Sequence, residues 1–102
     1  MTETAELLEG VYLAGLHTGS AIDLETKSRH YRIECLERDR IRISGHPQWC
    51  PAPVLVRLHG SQGGSGEFKA GFIGRGMRLV FQRLDNHIAV TTSEITDIRV
   101  VD

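Results

Sequence analysis

Cysteine, tryptophan and net charge are all scarce in this chain of 102 residues. Two cysteines, Cys35 and Cys50, are too few for the disulfide framework of a small secreted domain, so we expect reduced thiols. No apolar run approaches the ~20 residues of a membrane-spanning helix, and the acidic start lacks the cationic stretch of a signal peptide. A net charge of -1 gives no positive field for DNA. We therefore expect a single cytoplasmic domain, residues 1–102, that binds neither DNA nor membranes.

The N-terminal segment is predicted to be an α-helix over residues 3–16. In "ETAELLEGVYLAGL", apolar side chains recur at 5, 8, 12 and 16, with a neighbouring row at 7, 11 and 14. This spacing is typical of an amphipathic helix. Glu3 and Glu6 would lie in its first turn, where the helix dipole favours negative charge.

Beyond residue 19 the apolar period changes from 3.6 to 2, which indicates β-strands. "HYRIEC" and "RIRIS" form a predicted hairpin over about 30–44, and "PVLVRL", "MRLVFQRL" and "HIAVTT" are predicted strands. The last two would join at Asp85 and Asn86 and bury Met77, Ile88 and Val90. The glycine-rich segment 61–67 is predicted to be a flexible loop.

The C-terminal segment "TSEITDIRVV" breaks the alternation, because Ile95 and Ile98 are three residues apart. A helical turn or bulge around 93–96 would bring both side chains to one face. The sequence therefore predicts a mainly β fold. It would be a small barrel or curled antiparallel sheet of five to six strands, with the N-terminal α-helix over an open end.

Rare residues crowd into the segment Ile43–Ser61, which holds the tryptophan, all three prolines, one cysteine and two histidines. With Cys35, the side chains of His46, Cys50 and His59 would make a chemically sound zinc shell. The chain has no tight C-x2-C or C-x4-C knuckle, from which structural zinc sites usually start. A buried strand position for Cys35 and a proline-stiffened turn around Cys50 explain the same residues. We expect no cofactor, with zinc as the alternative.

Nucleophilic catalysis would need Cys50 activated by His46 or His59, with a third group to orient the base. The sequence offers no such third group. Neither phosphate-binding glycine motif, G-x4-G-K-[ST] or G-x-G-x-x-G opening a helix, is present. We therefore predict no catalytic residues and no enzyme activity.

One pattern resembles the PilZ domains, small β-barrels that bind cyclic di-GMP. Arg38 and Arg42 are spaced as in the R-x3-R motif of that family, and "HGSQGG" follows the [DN]-x-S-x2-G motif with His59 in the first position. The resemblance implies that Arg38, Arg42, His59, Ser61 and Gly64 contact a cyclic dinucleotide. Arginine pairs with phosphate in two parallel hydrogen bonds and stacks on bases, which suits such a ligand. An exposed charged hairpin is the alternative interpretation.

Two further resemblances concern most of the chain. The order of a helix followed by a barrel is similar to Sm-like RNA-binding proteins, which implies RNA as an alternative ligand, although this is an analogy of fold. The segments "ISGHPQWCP", "GSQGGS", "FIGRGM" and "TTSEITDI" resemble a group of small uncharacterised bacterial proteins, from about Tyr31 to Ile98. That resemblance implies a bacterial protein and carries no activity, cofactor or site.

Our leading hypothesis is a non-catalytic binding or protein-interaction module that associates with itself or with another protein. Trp49 between prolines and Phe68 beside the glycine loop are the predicted interface residues, because aromatic side chains anchor protein interfaces.

Overall fold

The computed structural model describes residues 9–48 and 50–101 of the chain. Their regular structure is one 3-10 helix, Leu13–Gly15, and nine β-strands. In chain order the strands are β1 Gly10–Tyr12, β2 Ala21–Thr26, β3 His30–Cys35, β4 Arg40–Ser44, β5 Val54–Gln62, β6 Phe68–Ala70, β7 Phe72–Gly74, β8 Arg78–Arg83 and β9 Ala89–Val101.

Six of these strands close into an antiparallel barrel in the order β2–β3–β4–β5–β8–β9, and β9 pairs with β2 to complete the ring. Each strand of the ring has neighbours on both sides, which removes the exposed edges that an open sheet would carry. Three short strands lie outside it: β6 pairs with the end of β5, and β1 and β7 pair with each other in a separate two-stranded sheet. The predicted mainly β barrel is confirmed.

The barrel is filled by the apolar members of the alternating pattern. On β3, Tyr31, Ile33 and Cys35 are buried, whereas Arg32 is exposed, as the period of 2 predicts. Each fully buried aliphatic or aromatic side chain contributes about 1.5–3 kcal/mol relative to an exposed one. The side chains with no exposed surface include Ile22, Leu24, Ile33, Ile41, Ile43, Val56, Leu79, Phe81 and Ile98.

The predicted N-terminal α-helix is wrong over the part of 3–16 that the structure describes, and residues 3–8 lie outside that part. Residues 10–12 form β1 and are followed by the 3-10 helix. Gly10 pairs with Gly74, and the Leu13 N–H donates to the Gly71 carbonyl, so tertiary partners satisfy the backbone in place of helical bonds. Among the described residues no helix has the length and apolar character needed to cross a membrane.

Two bulges in β9 resolve the spacing of its isoleucines. The register with β8 shifts between Arg78 and Val80, and the register with β2 shifts between Glu25 and Thr26. Each shift places an extra residue on β9, so the alternation resets twice along the strand. Ile95 and Ile98 are consequently both buried, and the predicted bulge is confirmed.

The β8–β9 turn differs from prediction in the burial of Ile88. His87 adopts the left-handed conformation with φ 61° in this turn, and the Asn86 side chain accepts a hydrogen bond from the Ile88 N–H. Ile88, predicted to be buried, is 42% exposed because it lies in this turn, before β9 begins. Val90 is buried as predicted.

The segment between β4 and β5 covers the end of the barrel where β3 begins. His46 and Cys50 form an isolated antiparallel bridge, with Gly45 N–H donating to the Cys50 carbonyl and Cys50 N–H to the His46 carbonyl. The bridge delivers Cys50 into the same core cluster as Tyr31, with no exposed surface. This loop therefore packs a barrel end.

We predict that Gly60→Ala is strongly destabilising whereas Gly64→Ala is not. Gly60 has φ 149° at a bulge of β5, and a Cβ there would overlap the Lys69 carbonyl oxygen. Gly64 lies in the β5–β6 turn with open space around it. Urea unfolding should show a loss of at least about 1 kcal/mol for Gly60→Ala. The change for Gly64→Ala should stay within about 0.5 kcal/mol. Equal stabilities would contradict this account of the bulge.

Candidate ligand-binding clefts

The four predicted zinc ligands lie on different parts of the barrel. Cys35 points into the core from β3, and Cys50 is buried at the opposite end of that strand, where His46 lies beside it. His59 is on the outer face of β5, where its Nε2 is 3.3 Å from the Gln82 side-chain oxygen. Within residues 9–48 and 50–101, no group of three or more His, Cys, Asp or Glu side chains is arranged to hold a metal ion.

The environment of both thiols favours their neutral form. Burial raises the pKa of Cys50, against smaller opposing effects of a backbone hydrogen bond from His46 and the charge of Arg83. Burial also raises the pKa of Cys35, and the neighbouring Glu34 carboxylate adds to the effect. Thiolates are the nucleophilic and metal-binding form, so these sites disfavour the reactive species.

Arg38 and Arg42, the predicted phosphate-binding pair, line two different clefts. Arg38 lies in the β3–β4 turn in a left-handed conformation, with φ 59°. Arg42 lies on the outer face of β4, and its Nη1 is 2.7 Å from a carboxylate oxygen of Glu34. Arg38 is therefore a turn residue and Arg42 a strand residue, and the two side chains do not share a cleft.

Ser61 and Gly64, the other members of the predicted set, are also apart. The Ser61 hydroxyl is buried, donates to the Phe72 carbonyl at 2.5 Å and accepts from the Gly74 N–H at 3.3 Å. These bonds fasten β7 to β5, so the Ser61 hydroxyl uses its hydrogen bonds within the fold. Gly64 lies in the exposed β5–β6 turn.

A surface that we call the arginine cleft lies at the end of the barrel where β3 ends. It has a volume of about 880 Å³ and is lined by Thr18, Glu37, Arg38, Asp39, Arg40 and Arg57. Antiparallel pairing places Arg40 directly opposite Arg57. The Leu58 N–H donates to the Asp39 carbonyl at 2.7 Å, which fastens the β3–β4 turn to β5.

The charges of the arginine cleft are only partly neutralised. Asp39 lies 3.3 Å from the Arg57 guanidinium. Among the described residues, Arg38 and Arg40 have no ion pair or side-chain hydrogen bond, unlike Arg32 and Arg42, which contact carboxylates. The sequence analysis did not identify Arg40 and Arg57 as site residues. Their outward positions in "RIRIS" and "PVLVRL" could be read from the alternation, but the β4–β5 register that brings them together could not.

A second surface, which we call the hydroxyl cleft, lies at the other end of β3. It has a volume of about 270 Å³ and is lined by Ser28, Arg29, Tyr31, His46 and the β9 residues 90–93. These β9 residues include the first bulge of the strand. Sequence reasoning did not find this cleft, because its parts come from three separate segments of the chain.

Of the two predicted interface residues, Phe68 is 49% exposed on β6, and Trp49 lies outside the described residues. An aromatic pair joins β1 and β7. Tyr12 packs against Phe72 with ring centroids 4.7 Å apart, and the Lys69 ammonium lies 5.0 Å from the Phe72 ring centroid. Tyr12 is 54% exposed, so Phe68 and Tyr12 both present aromatic side chains to solvent.

Comparison with known proteins adds no family to this description: no protein-family model, curated protein or solved structure matches the chain.

We predict that the protein loses stability as the pH rises from 7 to about 9.5. Burial raises the pKa of Cys35 and Cys50 in the folded state, whereas the unfolded thiols titrate near their ordinary value of about 8.5. The unfolded chain therefore releases these protons first. The contribution of the thiols to the free energy of unfolding is complete below their pKa in the unfolded chain. It is lost as the pH rises towards their pKa in the folded protein.

Urea unfolding at several pH values tests this expectation. The double variant Cys35→Ala/Cys50→Ala should show a smaller decrease in the free energy of unfolding over the same pH range. If the free energy of unfolding of the double variant falls as much as that of the wild type, groups other than the thiols cause the loss of stability at alkaline pH.

Proposed function

We propose that this protein is a binding module for a phosphate-bearing ligand, which it holds in the arginine cleft. The observation that carries the proposal is the convergence of three guanidinium groups, of Arg38, Arg40 and Arg57, on one cleft. Two of them have no carboxylate partner among the described residues. Uncompensated guanidinium groups beside one another repel, and an anion between them would relieve this repulsion.

The chemistry of arginine favours phosphate over other anions. A guanidinium presents its N–H groups in a planar fork that matches two phosphate oxygens, and its hydrogen bonds to a charged acceptor are about twice as strong as neutral ones. The volume of about 880 Å³ lies within the ~300–1,000 Å³ range of small-molecule sites. A nucleotide-sized ligand with more than one phosphate fits three guanidinium groups.

The backbone at Arg38 supports the same interpretation. Left-handed backbone costs a residue with a Cβ roughly 1–2 kcal/mol, and glycine or asparagine normally occupies such turn positions. An arginine here accepts strain that glycine would avoid. Strain of this kind concentrates at binding sites.

A cyclic dinucleotide is the most specific ligand that we consider. The residues that would bind its phosphates are Arg38, Arg40 and Arg57, rather than the pair Arg38 and Arg42. Ser61 would not contact the ligand, because its hydroxyl is buried against Phe72.

Ligand binding is tested by calorimetry and thermal unfolding with cyclic di-GMP and, separately, inorganic pyrophosphate. We predict saturable binding of at least one of these, with a higher melting temperature. Arg40→Ala should weaken binding about tenfold, the effect of losing one charge-assisted hydrogen-bonded contact. Arg99→Ala is the matched control, since Arg99 is exposed on β9, does not line the cleft, and also has no ion pair among the described residues.

The proposal is rejected if neither compound binds, or if Arg99→Ala weakens binding as much as Arg40→Ala does. If pyrophosphate binds and cyclic di-GMP does not, the arginine cleft is a phosphate site and the cyclic dinucleotide is rejected as its ligand.

Self-association through β6 is a second candidate function, favoured by the edge of that strand opposite β5, with which no described residue pairs. Gly63 N–H donates to the Glu67 carbonyl and Gly71 N–H to the His59 carbonyl, so β6 pairs with β5 through alternate residues. In antiparallel pairing the intervening residues, Phe68 and Ala70, direct their backbone groups to the other side. A second chain could add to this edge.

The charges beside Phe68 favour a second copy of this chain as the partner. Antiparallel pairing of two β6 strands centred on Phe68 places Glu67 of each copy opposite Lys69 of the other. Opposite charges directly across a strand pair stabilise it by roughly 0.2–1 kcal/mol, and like charges destabilise it.

Light scattering coupled to gel filtration tests this arrangement. We predict a dimer that Lys69→Glu weakens and that the exchange Glu67→Lys/Lys69→Glu restores, because the exchange regenerates the opposite-charge pairs. A monomer at high protein concentration, or a double variant no more associated than Lys69→Glu, would reject β6 as the interface.

A further inference from the structure

The hydroxyl cleft is lined by the Tyr31 hydroxyl, which has no hydrogen-bond partner among the residues that the structure describes. The Tyr31 residue is only 2% exposed, and among the described residues its hydroxyl has no hydrogen bond. Every polar side-chain atom of the described residues that is fully enclosed has a hydrogen-bond partner. Since the Tyr31 hydroxyl has none, it is not fully enclosed and reaches solvent in the hydroxyl cleft, which Tyr31 lines. A hydroxyl that reaches a cleft and bonds to none of the described residues is available to a ligand.

The backbone around the cleft is held by hydrogen bonds to the side chains of Thr26, Thr92 and Ser93. Thr26 Oγ1 accepts hydrogen bonds from the N–H groups of Ser28 and Arg29, which fixes the β2–β3 turn. The Ser28 N–H also lies 3.3 Å from Ser93 Oγ, which links this turn to β9. On β9, buried Thr92 accepts from the Leu79 N–H at 3.0 Å and donates to the Ser93 carbonyl at 2.8 Å.

The polar groups left over are hydroxyls and one cation. Ser28 and Thr91 have no side-chain hydrogen bond among the described residues, and Ser93 Oγ can still donate its proton. The Arg29 guanidinium has no carboxylate partner within the described part of the chain. Its charge acts on the titration of both Tyr31 and His46, so it lies near two other residues of the lining.

We propose that the hydroxyl cleft binds a small hydroxylated carboxylic acid, with its carboxylate on Arg29 and its hydroxyl groups among Tyr31, Ser28, Thr91 and Ser93. One guanidinium matches the single charge of a carboxylate and binds it through two parallel hydrogen bonds. The side-chain hydroxyls both donate and accept, which matches alcohol groups of the ligand. The volume of about 270 Å³ restricts the ligand to a small molecule.

This site is independent of the arginine cleft. The two lie at opposite ends of β3, and none of the lining residues is shared. They also differ in their charged groups: the arginine cleft holds three guanidinium groups beside Glu37 and Asp39, whereas the hydroxyl cleft holds one guanidinium among hydroxyl groups, which suits a carboxylate.

The experiment is an amide-resolved NMR titration of the full chain with D-glycerate, which carries one carboxylate and two hydroxyl groups. Propionate, glycerol and inorganic phosphate serve as comparison probes. We expect saturable shifts for the amides of Ser28, Arg29, Thr91 and Ser93, and tighter binding of glycerate than of the other three probes. Tighter binding of phosphate at these amides would overturn the assignment of a carboxylate.

Variants separate a binding role from a structural one. Tyr31→Phe removes only the hydroxyl, so it should leave the melting temperature unchanged and weaken glycerate binding about fivefold. Arg29→Gln should weaken it at least tenfold, while Arg99→Gln and Arg40→Ala leave it unchanged. The proposal is overturned by the absence of saturable shifts, by wild-type affinity in Tyr31→Phe, or by weakening in Arg40→Ala.

Discussion

Closure of the barrel depends on the strand β9, whose 13 residues pair with β8 in the first half and with β2 in the second. A regular strand of this length cannot keep Val90, Ile95 and Ile98 on one face while following two neighbours around a curved sheet. The two bulges solve both problems, because each adds a residue that resets the alternation and increases the local twist. The pairing of β4 with β5 completes the ring on the opposite side.

The same bulges determine where polar groups can collect. At the first bulge, the Leu79 N–H bonds to the Thr92 hydroxyl, and the residues beside it face the β2–β3 turn. At the second, the Thr96 hydroxyl lies 3.2 Å from the Glu25 carbonyl oxygen. Irregular backbone needs side-chain partners to satisfy its polar groups. Serine and threonine supply them on β9, which makes one wall of the hydroxyl cleft a consequence of how the barrel closes.

The barrel ends differ because different segments cover them. At one end the loop around His46 and Cys50 packs a thiol against Tyr31 and leaves the tyrosine hydroxyl at the cleft. At the other, the β3–β4 turn is fastened to β5 by the Asp39 carbonyl and carries Arg38 outward. Of the rare residues in 43–61, Cys50 therefore packs a barrel end and His59 lies on the outer face of β5, and the polar clefts draw most of their lining from elsewhere.

Local alternation of apolar and polar residues is sufficient to predict the class of the fold. Alternation places Tyr31, Ile33, Ile41, Ile43 and Val56 inward, and this local pattern is sufficient because burial of one face specifies strand register. It also required a bulge near Ile95. Short-range periodicity failed at residues 9–16, where β7, some 60 residues further along the chain, supplies the backbone partners for β1.

Which polar residues meet depends on the long-range pairing of strands. Arg40 and Arg57 are opposed by the β4–β5 register, and Arg29, Tyr31 and Ser93 are collected by the turn and bulge that meet at one barrel end. Conversely, Ser61 matches the serine of the [DN]-x-S-x2-G motif, but its hydroxyl is buried against the Phe72 carbonyl of β7. Spacing along a strand fixes the face of a side chain, whereas its neighbours across the sheet depend on long-range register that the local sequence does not encode.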